Sequence, residues 1–314
     1  MLIRFVVRET KMKLLLLLAT AFSKKEYPYF TWLVAGVLFA FLWASAATAT
    51  KIGLTVAQPL VIALMRFGVA ASIMLFIAHG LLKHRLPSGK EWRQLLIYGL
   101  LNISLYLGLY VVAMQHITAG IGSLSIAANP VFISFLSIFF LKKRLQPAVI
   151  IAIVICTAGV VCAALPLLRD AVVTVEGLLL LMLSMLFYSA GAIYFSARNW
   201  NGLSLFVING WQTLLGGLLL LPLTLYNYQS SLNYLNRSFW LSVLWLAIPV
   251  SIVAVMLWLW LLRGNAVKAG LWLYLCPVFG FVQAALVLGD GISVYTVVGV
   301  ALVLGGLLLA QKAR

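Results

Sequence analysis

Residues 127–145, AANPVFISFLSIFFLKKRL, and residues 274–292, YLCPVFGFVQAALVLGDGI, carry Pro-Val-Phe at the same point of an apolar run. The first run ends in Lys142-Lys143-Arg144 and the second in Gly289-Asp290-Gly291. Sliding the chain on itself by 147 residues lays Gln115 to Gly159 on Leu262 to Gly306, and an offset of 145 lays Leu42-Trp43-Ala44 on Phe187-Tyr188-Ser189. The chain is therefore duplicated, with about two extra residues in the second half between its second and third helices.

Of the 314 residues 64% are apolar and 9% are Asp, Glu, Lys or Arg, a balance no soluble domain shows. Splitting the apolar runs at charged and Pro/Gly/Asn-rich breaks predicts ten spans: 31–50, 57–82, 91–115, 118–141, 147–166, 175–197, 203–226, 239–262, 266–288 and 293–311. Each is about the length that crosses a hydrocarbon core of roughly 30 Å. The connections are short apart from 227–238, so any function must lie within the membrane. The fold class expected is an all-α membrane protein, ten transmembrane helices in two five-helix repeats at 31–166 and 175–311, behind a cytoplasmic extension at 1–30.

The net charge of +16 would suggest nucleic acid in a soluble protein, but here the charges mark sides of a bilayer. With the N-terminus cytoplasmic, 18 of the 22 basic residues fall inside, Lys51, Arg169 and Arg237 fall outside, and Arg66 stands within a span. That distribution favours both termini on the cytoplasmic side. A competing reading takes MKLLLLLATAF from Met12 as a cleaved signal peptide, which would reverse every later loop against the charge count. Met12 is an alternative start.

Five spans per unit is an odd number, so the second copy enters the membrane from the opposite side. This explains the exchange of basic residues for Gly-Asp-Gly between equivalent loops. An inverted repeat is the architecture of alternating access, with a site near the midplane between the halves. Cys156, Cys162 and Cys276 lie inside apolar runs without metal-ligand spacing and are expected to be packing residues. No nucleotide loop, H-E-x-x-H or nucleophile elbow occurs in a plausible context, so neither catalysis nor a cofactor is expected.

The stretch YVVAMQHITAGIGSLSIAANPVFISFLSIFFLKKRLQPAVIIAIVICTAGVV, from Tyr110, resembles the helix 3 to helix 5 signature of EamA-type members of the drug/metabolite transporter superfamily. LWASAATATKIG and LMRFGVAASIML resemble the first two helices of that family. The resemblance spans roughly 31–311 and implies a central cavity built mainly by helices 1, 3, 4, 6, 8 and 9, with export of metabolites or amino acids. The family's Gly-Glu-Arg-like turn after helix 4 is replaced here by Lys142-Lys143-Arg144, leaving Asp290 as its counterpart.

Candidate substrate-binding residues follow from polar or aromatic side chains at span depth. Arg66 stands about nine residues, roughly 14 Å, into the second span. None of the six acidic residues shares the core with it. It is read as holding a substrate anion or, alternatively, as capping carbonyls or stacking on an aromatic such as Trp211, its repeat equivalent. Tyr98, Asn102, Tyr106 and Tyr110 recur every fourth residue as a helical stripe. Gly122, Ser125 and Asn129 form a second face ending at Pro130, matched in the ninth span by Ala269, Trp272 and Cys276, with Gln283 further along. Trp43 and Tyr188, repeat-equivalent, are expected on opposite walls of one cavity.

Small residues at Ala148, Ala152, Cys156, Gly159 and Ala163, with Ala301 and Gly305, mark helices 5 and 10 as close-packing faces or a homodimer surface. The expected partners are a small-molecule substrate and the lipid bilayer, not nucleic acid. The expected function is a secondary transporter, most simply an exporter, of the bacterial cytoplasmic membrane. The alternatives are a sugar-nucleotide or drug carrier of the same fold, or a membrane-embedded enzyme or channel.

Overall fold

The computed structural model describes residues 29–117, 119–142, 144–170, 174–288 and 294–312. The extension at 1–28, with Met12 and its signal-like run, and the 289–291 turn with Asp290 lie outside them. The chain separates into two compact units, Met1–Ala35 and Gly36–Arg314. Within the described part of the first unit, 29–35 form the opening turns of α1; the packing that follows belongs to the second.

Among the described residues ten helical segments occur, seven of them long and apolar enough to cross a membrane and three, α5, α9 and α10, with shorter apolar stretches: α1 (Tyr29–Leu54), α2 (Pro59–Leu81), α3 (Lys90–Ala113), α4 (119–140), α5 (Pro147–Asp170), α6 (Val175–Ala197), α7 (Leu205–Tyr226), α8 (Arg237–Gly264), α9 (266–288) and α10 (Val294–Lys312). No strand occurs among the described residues. In hydrocarbon, a segment with no water to satisfy its backbone must bond to itself, so these apolar runs form helices. The chain is an all-α membrane protein built as two inverted five-helix repeats.

The ends differ from expectation where polar chemistry extends a helix. α1 runs on to Leu54 because Lys51 falls in its last turn, the carbonyl end where a cation is stabilised. α8 starts at Arg237, since the Asn236 side chain accepts the Phe239 N–H at 3.0 Å as an N-cap. The α8–α9 connection is a single residue, Asn265, whose side chain accepts from the amides of Val267 and Lys268.

The duplication reappears as paired irregularities. α3 opens into a π-helical turn at Leu100–Leu105 and α8 does so at Leu246–Ala254, the positions that the 147-residue offset equates. α4 tightens into a 3₁₀ turn at Ile126–Ala128 just before Pro130, and α9 does so at Trp272–Tyr274 before Pro277, within a residue of equivalence. Such breaks free or redirect backbone carbonyls, and π turns are frequent at functional sites.

α5 lies directly on α10. A Cβ added at Gly159 would stand 2.7 Å from the Gly299 carbonyl and one at Gly306 would stand 2.5 Å from the Cys156 sulfur, so only glycine allows this approach. The Cys156 thiol points at the Val303 carbonyl at 3.5 Å. The small residues of α5 thus pack within one chain, while Val154, Val161, Leu304 and Leu308 face outward.

α2 and α7 form the second repeat-related pair. Their buried positions match at an offset of 146: Ile62, Ala63, Arg66, Phe67, Ala70 and Ala71 fall on Ile208, Asn209, Gln212, Thr213, Gly216 and Gly217. The structural counterpart of Arg66 is therefore Gln212, not Trp211. Trp211 is turned one position off this face; its indole N–H donates to His79 Nε2 at 3.0 Å and its ring meets Trp92 edge-on at 4.7 Å.

Candidate functional site

Six aromatic rings from four helices meet at the seam between the halves. Trp43 of α1 lies 6.5 Å from Tyr106 of α3 and 5.9 Å from Tyr188 of α6; Tyr106 and Tyr188 are 4.7 Å apart. Tyr110 continues the group 6.1 Å from Tyr106. Trp258 of α8 stacks on Tyr188 at 5.5 Å and on Phe39 of α1 at 5.1 Å. All six are buried. Rings at these separations attract edge-to-face or offset, each pair adding about 0.5–1.5 kcal/mol beyond burial. Trp43 and Tyr188, expected on opposite walls, face each other in this group.

Arg66 of α2 adjoins the rings and is 2% exposed. Its Nε donates to the Ser251 hydroxyl at 2.7 Å, in the π turn of α8. Its helix packs on the Tyr106–Ala113 stretch of α3, and its guanidinium carbon sits 5.6 Å over its neighbour Phe67. Its Nη2 has no hydrogen-bond partner. An arginine at the centre of a spanning helix costs about 3 kcal/mol on insertion scales, and one bond to a charged donor offsets about 1.5–3 kcal/mol. Of the partners expected from sequence, Trp211 bonds elsewhere; the guanidinium bonds the Ser251 hydroxyl and the aromatic beneath it is Phe67.

From Ser251 a chain of amides crosses the seam. Asn209 Nδ2 donates to the Ser251 carbonyl at 2.9 Å, Gln212 Nε2 to Asn209 Oδ1 at 3.0 Å, and Asn102 Nδ2 to Gln212 Oε1 at 3.2 Å. Thr213 adds a 3.4 Å bond to Asn209 Oδ1. Arg66 of the first half thus reaches the π turn of α8, while Gln212 of the second half reaches Asn102 in the π turn of α3. The two cross-links join equivalent elements, the second helix of one half to the π turn of the other, although at the offset of 147 Ser251 falls on Ser104 and Asn102 on Pro249. Ser251, Asn209, Gln212 and Thr213 are additions to the sequence reading. The signal for three of them was present in NGWQT at 209–213, polar residues at i, i+3 and i+4 in an apolar span.

The other candidates divide. Asn129 belongs to the site: Ser189, beside Tyr188, donates to its Oδ1 at 3.1 Å, while its Nδ2 finds only the Met185 sulfur at 3.2 Å. Ser125 bonds back to the Gly122 carbonyl at 2.7 Å and lines an apolar cleft of about 400 Å³ between α4, α5 and α6. Trp272 lies flat against Gly36 on α1. Gln283 donates to the Phe41 carbonyl at 3.2 Å, joining α9 to α1. The ring group therefore unites Trp43, Tyr106, Tyr110 and Tyr188; Asn129 is tied to the residue next to Tyr188, Arg66 and Asn102 are tied to the amide chain from Ser251, and Ser125 and Gln283 bond elsewhere.

Family and structural comparisons agree with this architecture. The model of the EamA-like transporter family matches residues 30–165 and again 175–311. An uncharacterized transporter of Archaeoglobus fulgidus is 25% identical over 90% of this chain and 99% of its own length. Protein PecM of Dickeya dadantii is 27% identical over 86% and 89%. A probable terminal-alkyne amino-acid exporter of Streptantibioticus cattleyicolor is 34% identical over 39% of this chain and 41% of its own. One crystal structure superposes with a TM-score of 0.72 over 90% of this chain and 98% of its own, at 21% identity, a likeness of fold. Two spans of family match, laid over two repeats whose broken helices surround one buried polar and aromatic centre, make this chain a member of the EamA-like transporter family.

Proposed function

We propose that the chain exports a small metabolite or an amino acid by alternating access across a bacterial cytoplasmic membrane, both termini lying on the cytoplasmic side. The halves 31–166 and 175–311 would be the moving units and 1–30 a cytoplasmic extension. The observation that supports this most is Arg66: a buried cation with an unpartnered nitrogen, set at the seam of two inverted repeats beside a group of aromatic rings. A group left unsatisfied at that depth is costly unless something occupies it during function. The partial match to an amino-acid exporter supports the direction and substrate size.

The six acidic residues all stand at span ends or beyond them, so an Asp/Glu proton relay through the core is not part of this reading; exchange or facilitated diffusion is. Glu176, exposed at the start of α6, and Asp290 would be the outside candidates for a proton site.

The test is counter-flow in proteoliposomes over pooled amino acids, nucleosides and organic acids, with wild type and Arg66→Ala. Saturable exchange that the variant loses while keeping its fold supports the proposal. Exchange unchanged in the variant, or flux that neither saturates nor shows counter-flow, contradicts it.

A further inference from the structure

Hydrogen-bond accounting at the seam shows which chemistry the site accepts, taking its use in transport as given. Each acceptor there already holds a donor: Ser251 Oγ that of Arg66, Gln212 Oε1 that of Asn102, Asn209 Oδ1 those of Gln212 and Thr213, Asn129 Oδ1 that of Ser189. Without a partner stand the Arg66 Nη2 donor and the Tyr188 hydroxyl, which can donate or accept, and Asn129 Nδ2 has only a thioether, a weak acceptor. Tyr106 lies between these groups by its place: its ring is 4.7 Å from that of Tyr188, and α2, which carries Arg66, packs on the Tyr106–Ala113 stretch of α3. An ammonium would find ring faces but no carboxylate, beside a fixed positive charge.

We propose that the seam binds an organic anion: its anionic group on Arg66 Nη2, an apolar or aromatic body against Trp43, Tyr106 and Tyr188, and an acceptor at the far end toward Tyr188 and Asn129. Cationic amines are disfavoured by the Arg66 charge, and of the two substrate classes proposed above this favours an anionic metabolite over an amino acid.

Three probes share one ring and differ in charge: indole-3-propionate, its neutral amide indole-3-propionamide, and the cation tryptamine. Binding is read by calorimetry on the detergent-solubilised full chain. The carboxylate should bind more tightly than the other two. Its affinity should fall roughly ten- to a hundredfold in Arg66→Ala and less in Arg66→Lys, which keeps the charge and guards against loss of fold. Tryptamine binding as tightly as the carboxylate, no binding by any probe, or carboxylate affinity unchanged in Arg66→Ala overturns the proposal. Charge-selective binding without counter-flow would preserve this inference and contradict the transport reading.

A separate set of contacts carries a second inference. At one face, Gln58 in the α1–α2 turn clasps the α7–α8 loop: its amide N–H donates to Asn233 Oδ1 at 2.9 Å, its Oε1 accepts from Asn233 Nδ2 and from the Gln229 N–H, both at 2.8 Å, and its Nε2 donates to the Asn227 carbonyl at 2.8 Å. At the opposite face, Arg85 in the α2–α3 loop holds Glu91 through two 2.7 Å bonds and donates to the carbonyl of Asn201 in the α6–α7 loop at 2.9 Å. Each clasp joins the loop after the second helix of one half to the loop after the first helix of the other, so the repeat axis exchanges them.

We infer that these are the two locks of alternating access, released in turn, one built on an amide and one on a guanidinium that Glu91 holds in place. Spin-label pairs at Thr55/Ser230 and Lys83/Gly202 read each clasp by distance. Arg85→Ala should lengthen only the Lys83/Gly202 distance and Gln58→Ala only the other, while Arg85→Lys, which keeps a donor for the Asn201 carbonyl, should stay closer to wild type. Distances unchanged in both variants, or both pairs shifting together in each, overturns the inference; a wild type fixed in one state with intact, separable locks contradicts alternation instead.

Discussion

Replacing Ser251 by alanine removes the acceptor of Arg66 Nε and leaves a second nitrogen of the same buried guanidinium without a partner. The bond is 2.7 Å long, and Arg66 and Ser251 are 2% and 4% exposed, so water does not replace the lost oxygen. Neutral side-chain bonds between membrane helices average about 0.6 kcal/mol, because the membrane-inserted unfolded state finds partners too. A charged donor whose partner is removed costs about 1.5–3 kcal/mol. The Arg66–Ser251 coupling should therefore lie near 2 kcal/mol. The assay is a double-mutant cycle of Ser251→Ala, Arg66→Met and the double variant, unfolded reversibly in mixed micelles. Ser251→Thr, which keeps a hydroxyl, should stay close to wild type. A coupling at or below about 0.6 kcal/mol would refute the reasoning, showing that the cation draws its support from elsewhere.

Tyr188→Phe deletes a hydroxyl that has no partner, so stability should stay within about 0.5 kcal/mol while substrate affinity drops; a loss of stability without a change in affinity would assign that hydroxyl a structural role. Tyr188→Ala opens a cavity among Trp43, Tyr106 and Trp258 and should cost about 3–5 kcal/mol by the same unfolding assay. Gly159→Leu forces α5 off α10, since even a Cβ there would crowd the Gly299 carbonyl; the folded fraction should fall sharply, and normal folding would show that the helices tolerate separation. In the α2–α3 loop a guanidinium and a carboxylate are both ionised across the neutral range, so the Arg85–Glu91 pair should persist there and weaken with salt; a loop geometry insensitive to salt would contradict its ionic character.

The fold was legible because length, hydropathy and duplication all report on the same ten spans, and Pro-Val-Phe at 130–132 and 277–279 fixed the register of the halves. The candidate site was legible in part. Trp43, Tyr106, Tyr110 and Tyr188 stand out as large aromatics on equivalent or periodic positions, and they do meet. The partner of Arg66 was not legible: the extra residues between the second and third helices of the second half blur the repeat offset, and a shift of one residue on a helix rotates a side chain by 100°, enough to exchange Gln212 for Trp211. Ser251 was hidden because a lone serine in an apolar span carries no periodicity, and the π turn that aims it depends on packing around Pro249. Gln283 misled because depth along a helix does not specify which side of it faces the seam.

Under the proposed transport cycle the seam opens alternately to the two sides. Ala47, buried one turn beyond Trp43, can carry a single cysteine once Cys156, Cys162 and Cys276 are replaced. In sealed vesicles of either orientation, a membrane-impermeant thiol reagent should reach Cys at position 47 from each face, and occupying the site from one face should slow labelling from the other. Labelling from one face alone, whatever the conditions, would contradict the account.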